Sequence, residues 1–219
     1  MNTQTPPAAL VIGTFNFRLF QDKLAPTLQR LHKPALAPEA MLELRAMVPG
    51  IPSDRRDELS TLLDRLESQA QNGRPARSSS GAIVELACLD EVVHLPDRTK
   101  EFQAAIELLF RFWDRPMANT IFHFFSSLSD HTLTQISTAE IWRALVPPDA
   151  LVEPVQATEA LTRGDLRRLL LQAEKGDVFS EDEAQALAEW WDEVRSKIRM
   201  AQRLEAGLFV STRRQGNGG

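Results

Sequence analysis

The stretch SEDEAQALAEWWDEVRSKIRMAQRLEA, residues 180–206, decides the fold class. Ala184, Leu187, Trp191, Val194, Ile198 and Ala201 recur at spacings of three and four. That is the period of one face of an α-helix, held for about three heptads until Glu205 breaks it. Ser180 and Glu183 stand at the spacing of a capping box, with Phe179 and Ala184 placed as a hydrophobic staple. Acids (Glu181, Asp182, Glu183, Glu189, Asp192, Glu193) fill the first half. Bases (Arg195, Lys197, Arg199, Arg203) fill the second, which is the order the helix dipole favours. Glu193 and Lys197 add an i,i+4 pair in the better orientation.

Such a helix either docks on a partner or packs on its own core, and short seams are common inside bundles. The interface candidates are Trp190, Trp191, Val194 and Ile198. Trp190 lies at a flank of the seam, beside Trp191. Both rings are covered only if two surfaces approach, and exposed tryptophans are the anchors that dominate interfaces.

Working back along the chain, Leu166, Leu169, Leu170 and Ala173 continue the helical period, with Gly176 as a stop. Ser137-Thr138-Ala139-Glu140 reads as another capping box, leading into a helix through Leu145 that Pro147-Pro148 ends. Ile121, Phe122, Phe124, Phe125 and Leu128 make the helix from Met117 apolar around most of its girdle, hence central. Thr99 to Trp113 is helical by its stripe of Phe102, Ile106, Leu109, Phe110 and Trp113. Ala82 to Leu95 is ambiguous: Ala82, Leu86, Leu89 and Val93 fit a helix, whereas Ile83-Val84 and Val92-Val93 favour a strand. The spacing tips it towards a helix. Leu59, Leu62, Leu63 and Leu66 define a helix over 54–70 behind an N-cap at Ser53, and Met41, Leu44, Met47 and Val48 one over 38–48. Leu24, Leu28 and Leu31 give one over 22–32. Phe15, Phe17 and Leu19 alternate with Asn16 and Arg18, the period of a strand, with Leu208–Thr212 as the candidate partner.

The expected fold is therefore mainly α: a multi-helix orthogonal or bundle-like array, with a short β element formed by the N- and C-terminal segments. Residues 1–70 form an N-terminal arm and helices. Residues 71–81, rich in Gly, Pro and Ser, form a flexible linker or loop. Residues 82–206 are the main helical core, and 207–219 are an extended segment and a disordered tail.

Composition narrows the function classes. The chain has 219 residues, of which 43% are hydrophobic and 25% charged, so a packed core is within reach and wholesale disorder is not expected. The net charge of −5 speaks against nucleic acid, because phosphate neutralisation supplies most of that affinity. The one cysteine, Cys88, rules out an intrachain disulfide and a thiolate zinc site, and its neighbours Ala87 and Leu89 mark it as a buried hydrophobe. No apolar run reaches the ~18 residues of a membrane span, and no basic leader opens the chain, so the expected compartment is the cytoplasm and no membrane partner is expected.

Candidate chemistry is sparse. His123, Asp130 and His131, with Glu140 beyond, are the one local cluster of catalytic residue types, and they would serve as a metal site or an acid–base pair. Their spacing differs from the i,i+4 pairing that sets two imidazoles on one helix face. His32 and His94 stand alone. No Gly-rich phosphate loop, nucleophile elbow or metalloprotease signature occurs. Met117 to Leu145 has the outline of a helix-turn-helix module. Yet between Pro116 and Ala160 the one Lys or Arg is Arg143, against Asp130, Glu140, Asp149, Glu153 and Glu159, a balance that repels DNA. The basic end of the last helix (Arg195, Lys197, Arg199 and Arg203), followed by Arg213-Arg214, is the remaining candidate for phosphate contact.

The sequence thus reads as a non-enzymatic interaction, adaptor or regulatory subunit that works through helical surfaces, with a protein partner or self-association and no cofactor. The alternatives are a helix-turn-helix-like regulator and an enzyme or metal protein built on His123, Asp130 and His131.

Overall fold

Asn16 ends the first strand and starts the first helix. Its side chain accepts a hydrogen bond from the Leu19 backbone N–H at 3.0 Å, a local cap that turns the chain out of strand geometry. The alternation of Phe15, Phe17 and Leu19 is therefore not one strand. Strand β1 covers Ala9–Phe15, and helix α1 begins at Phe17–Leu19. A π-helical turn, Phe20–Leu24, leads from α1 into α2, Ala25–Leu31. In the computed structural model, residues 9–31, 33–71, 79–110, 114–132, 141–172 and 179–213 are described. His32, residues 72–78 of the expected 71–81 linker, Trp113, the Ser137–Glu140 box, Ala173, Gly176 and the tail from 214 lie outside these residues, while Gln71 closes one helix and Ser80 and Gly81 open the next.

The chain continues as α3 (Ala37–Met47), α4 (Ser53–Gln71), α5 (Ser80–Cys88), β2 (Leu89–Pro96), α6 (Thr99–Leu109), α7 (Arg115–Ser127), β3 (Ile141–Val146), α8 (Val152–Ala160), α9 (Arg163–Gln172), α10 (Glu181–Arg203) and β4 (Gly207–Arg213). The fold is mainly α with a four-stranded sheet of order β2-β1-β4-β3.

The structure corrects two expectations about helices. The segment 82–95 is split: the helix stops at Cys88, and Leu89–Pro96 is a strand at the sheet edge. Val92 and Val93 favour the pleated surface, and Pro96, which has no N–H to give a ladder, stands at its end. The expected helix through Leu145 is strand β3, antiparallel to β4 with Ile141 opposite Arg213 and Val146 opposite Leu208. The run Ile-Trp-Arg-Ala-Leu-Val pairs over its whole length, and that ladder outweighs any local helix signal.

The described residues divide into two compact units, one of 9–14, 91–132 and 141–213, the other of 15–90. In the first, α10 is the central helix. Its capping box is complete: Glu183 N–H donates to Ser180 Oγ at 3.2 Å, and Ser180 N–H donates to Glu183 Oε2 at 2.9 Å. Its apolar face joins one core with Phe102 and Ile106 of α6, Phe124 and Phe125 of α7, Leu161, Leu166 and Leu170 beside it, and Leu208 and Val210 of β4. Phe102 stacks on Trp191 with ring centroids 4.7 Å apart.

In the second unit, Leu24, Leu28, Met41, Leu44, Leu59, Leu63, Leu66, Ile83 and Val84 are buried. Polar bonds fix the helices at the rim. Thr27 Oγ1 donates to Glu43 Oε2 at 2.9 Å and Arg30 Nη1 to Glu43 Oε1 at 2.8 Å, joining α2 to α3. Arg45 Nη2 reaches Asp64 at 2.7 Å and Glu67 at 2.6 Å, joining α3 to α4.

Candidate functional site

The four interface candidates on α10 are spent inside the chain. Trp190 is 3% exposed, Trp191 1%, and Val194 and Ile198 are fully buried. Trp190 Nε1 donates to the Pro96 carbonyl at 2.9 Å, and Trp191 Nε1 donates to the Leu161 carbonyl at 2.8 Å. The two surfaces that cover the adjacent rings both come from the same unit. A buried indole with its N–H satisfied offers nothing to a partner, so the seam is core.

The basic half of α10 is partly engaged as well. Arg195 Nε pairs with Asp192 at 2.8 Å, and its Nη1 donates to the Thr158 and Leu161 carbonyls at 3.2 and 3.4 Å. Those carbonyls end α8, so Arg195 acts as a side-chain cap for a neighbouring helix. Lys197 Nζ lies 3.7 Å from Glu91, with its side chain only 12% exposed. Arg199 is half-buried and Arg203 exposed near the helix end. Two cations do not make a phosphate track.

The helix-turn-helix outline is lost with its second helix, since Ile141–Val146 is a strand. His123 is exposed on α7, its ring edge-on to Phe122, and Asp130 and His131 stand on the 3-10 turn Leu128–His131 after it. Among the described residues, no group of three or more His, Cys, Asp or Glu side chains stands where it could hold a metal ion. Glu140, the fourth member of the sequence cluster, lies outside the described residues. Cys88 is buried, and desolvation pushes its thiol up to about 12, away from the thiolate needed for nucleophilic chemistry. No helix among the described residues is long and apolar enough to cross a membrane.

Two surfaces of the second unit stand out instead. On α3, the inward face is Ala40, Met41 and Leu44, and the outward face carries Pro38, Leu42 and Ala46 at i, i+4 and i+8. All three are exposed, and Leu42 at 69% is the most exposed large hydrophobic side chain among the described residues. Pro34, Ala35 and Pro49, just beyond the helix ends in sequence, are exposed as well. The sequence does carry the signal: Leu42 falls outside the Met41–Leu44–Val48 stripe, on the opposite side of the wheel. Between α4 and α5 runs a groove of about 490 Å³, lined by Asp57, Glu58, Thr61, Leu62, Arg65, Ala82 and Leu86. Leu62, counted with the core stripe on spacing alone, is only half-buried and belongs to this groove.

No protein-family model, no curated protein and no solved structure matches the chain.

Proposed function

We propose that the chain is a non-enzymatic interaction protein, an adaptor or regulatory subunit, that engages a protein partner through the outward face of α3. The observation that carries this reading is the row Pro38, Leu42 and Ala46, flanked in sequence by Ala35 and Pro49, with Leu42 at 69% exposure. Scattered single apolar residues on a surface need no explanation, but a contiguous row on one helix face is the form a helix offers to a groove or to a second helix. The row is bordered by charges already satisfied within the chain, Glu43 with Arg30 and Arg45 with Asp64 and Glu67. Glu39, exposed beside Pro38 and Leu42 and without an ion-pair partner among the described residues, also borders the row, so a partner covering it must meet that carboxylate with a cation or leave it at the wet rim. The same face also lacks the convergent polar groups an active site requires.

The test is capture of partners from the source cells by the full chain, run in parallel with its Leu42→Asp variant. A polypeptide held by the unmodified chain and lost with the variant supports the reading. Identical capture by both, or capture by neither, overturns it.

A further inference from the structure

We infer that the α4–α5 groove is a self-association surface whose occupant is α4 of a second copy of this chain, laid antiparallel about a two-fold axis at Thr61. The groove is lined on α4 by Asp57, Glu58, Thr61, Leu62 and Arg65, and on α5 by Ala82 and Leu86. The three apolar side chains are half-buried and form its floor. The charges at its two ends are of opposite sign. Asp57 lies four residues before Thr61 and Arg65 four residues after it. At ~1.5 Å of rise per residue these ends are about 12 Å apart along α4. Antiparallel crossing at Thr61 sets Asp57 of each copy against Arg65 of the other, twice over, with Glu58 one residue further along the same end. A two-fold contact must be self-complementary in this way, with residue i meeting j and j meeting i. Parallel packing would set acid on acid and base on base.

The contrast with the rest of α4 supports the choice. Arg55 donates to the Leu89 carbonyl and lies 3.5 Å from Asp90, Arg56 Nε donates to the Ile51 carbonyl at 2.7 Å, and Asp64 and Glu67 pair with Arg45. Asp57, Glu58 and Arg65 have no ion-pair partner among the described residues. The charges lacking an internal partner are those around the apolar floor. Seating the second α4 covers Leu62, Ala82 and Leu86 in both copies.

The experiment is sedimentation equilibrium of the full chain over a range of concentrations and salt. The expected wild-type behaviour is a reversible shift from 24.6 kDa to twice that mass, weakened by salt. Arg65→Glu replaces two attractions by two repulsions and should weaken the dimer roughly tenfold or more. The triple variant Asp57→Lys, Glu58→Lys, Arg65→Glu reverses every charge and should restore it, an outcome that mere damage to the fold cannot produce. Should the triple variant lose its helical circular dichroism, Asp57→Asn with Glu58→Gln takes its place and must weaken the dimer and flatten its salt dependence. A wild-type mass of 24.6 kDa at every concentration, a dimer indifferent to Arg65→Glu, or a folded triple variant that stays monomeric overturns the inference. This surface is separate from the α3 row: Leu42→Asp should leave the dimer intact, and Arg65→Glu should leave partner capture intact, so each reading fails alone.

Discussion

The indole N–H of Trp190 donates to the backbone carbonyl of Pro96 at 2.9 Å, tying the middle of α10 to the end of the edge strand β2. The ring itself lies 5.3 Å from Phe102 and 6.1 Å from Phe125, centroid to centroid. Two contributions separate cleanly. Trp190→Phe keeps most of the apolar contact and leaves the Pro96 carbonyl without this donor, a loss of about 1 kcal/mol. Trp190→Ala also opens a cavity beside Phe102 and should cost about 3–5 kcal/mol. Urea unfolding followed by circular dichroism measures both. Equal costs for the two variants would mean that the packing contributes nothing, and a cost near zero for both would put Trp190 back on the surface.

Helix α10 was legible because every local signal in it agrees. Six apolar positions keep one period, Ser180 and Glu183 close a box, and the charges follow the dipole. What is not legible is which of its flanks meets a second surface. The partners of Trp190 come from Pro96 and Phe102, about ninety residues earlier in the chain, and spacing within a helix carries no information about them. Strand β3 was missed for a related reason. Ile141–Val146 is a short apolar run whose period fits either element, and what makes it a strand is pairing with Leu208–Arg213, a contact between distant segments. The break at Asn16 was readable in principle, since Asn is a strong N-cap, but the alternating phenylalanines masked it. The surfaces proposed for function are visible only after burial is known. Leu62 and Leu63 look alike in the sequence, yet one lines a groove and the other is core.

On α3, the two opposite faces should respond differently to substitution. Leu44 is 2% exposed and Leu42 69%. Leu44→Ala should lower stability by about 2–5 kcal/mol, through lost transfer energy and the cavity left behind. Leu42→Asp should stay within ~0.5 kcal/mol of the unmodified chain, as surface changes do. Thermal and urea unfolding read this directly. A large loss on Leu42→Asp would show that its exposed position is filled by the chain's own contacts, and the α3 reading of function would fall with it.

Cys88 should behave as an inert hydrophobe. It is 3% exposed at the end of α5, and desolvation pushes its thiol up to about 12. At pH 8 the native protein should leave a thiol-reactive disulfide reagent unreacted on the timescale of minutes, and should react fully once unfolded. The reaction rate in the folded state therefore reports opening of the second unit, and a stabilising ligand or a second copy should slow it. Immediate reaction of the native protein would contradict the burial described here.

The capping box of α10 carries a pH dependence whose sign is fixed by its geometry. The backbone N–H of Ser180 donates to Glu183 Oε2 at 2.9 Å, and the Ser180 hydroxyl donates to the same atom at 2.7 Å. Both bonds favour the carboxylate, the backbone one more, so Glu183 is held below its ordinary range in the folded chain. In the unfolded chain it titrates at its ordinary value. The folded state therefore binds the proton less readily, and the stabilisation is whole at any pH above the ordinary carboxylate value. It is lost as pH falls through the lower folded value, below which both states are protonated. Asp165, held down by Thr162 in the matching position of α9, shows the same direction, so total acid sensitivity cannot be assigned to Glu183 alone. The difference between wild type and Glu183→Gln isolates it. That difference should be constant from neutral pH down to the ordinary carboxylate range and then shrink towards zero on further acidification. Ser180→Ala, which removes the hydroxyl that accepts from the Glu183 N–H and donates to Glu183 Oε2 but keeps the backbone bond to that carboxylate, should cost about 1 kcal/mol at neutral pH and should reduce the pH-dependent part of the Glu183→Gln difference. A difference that stays flat through the acid range would mean that Glu183 titrates alike in the folded and unfolded chains, and that the box holds α10 by geometry without favouring the charge.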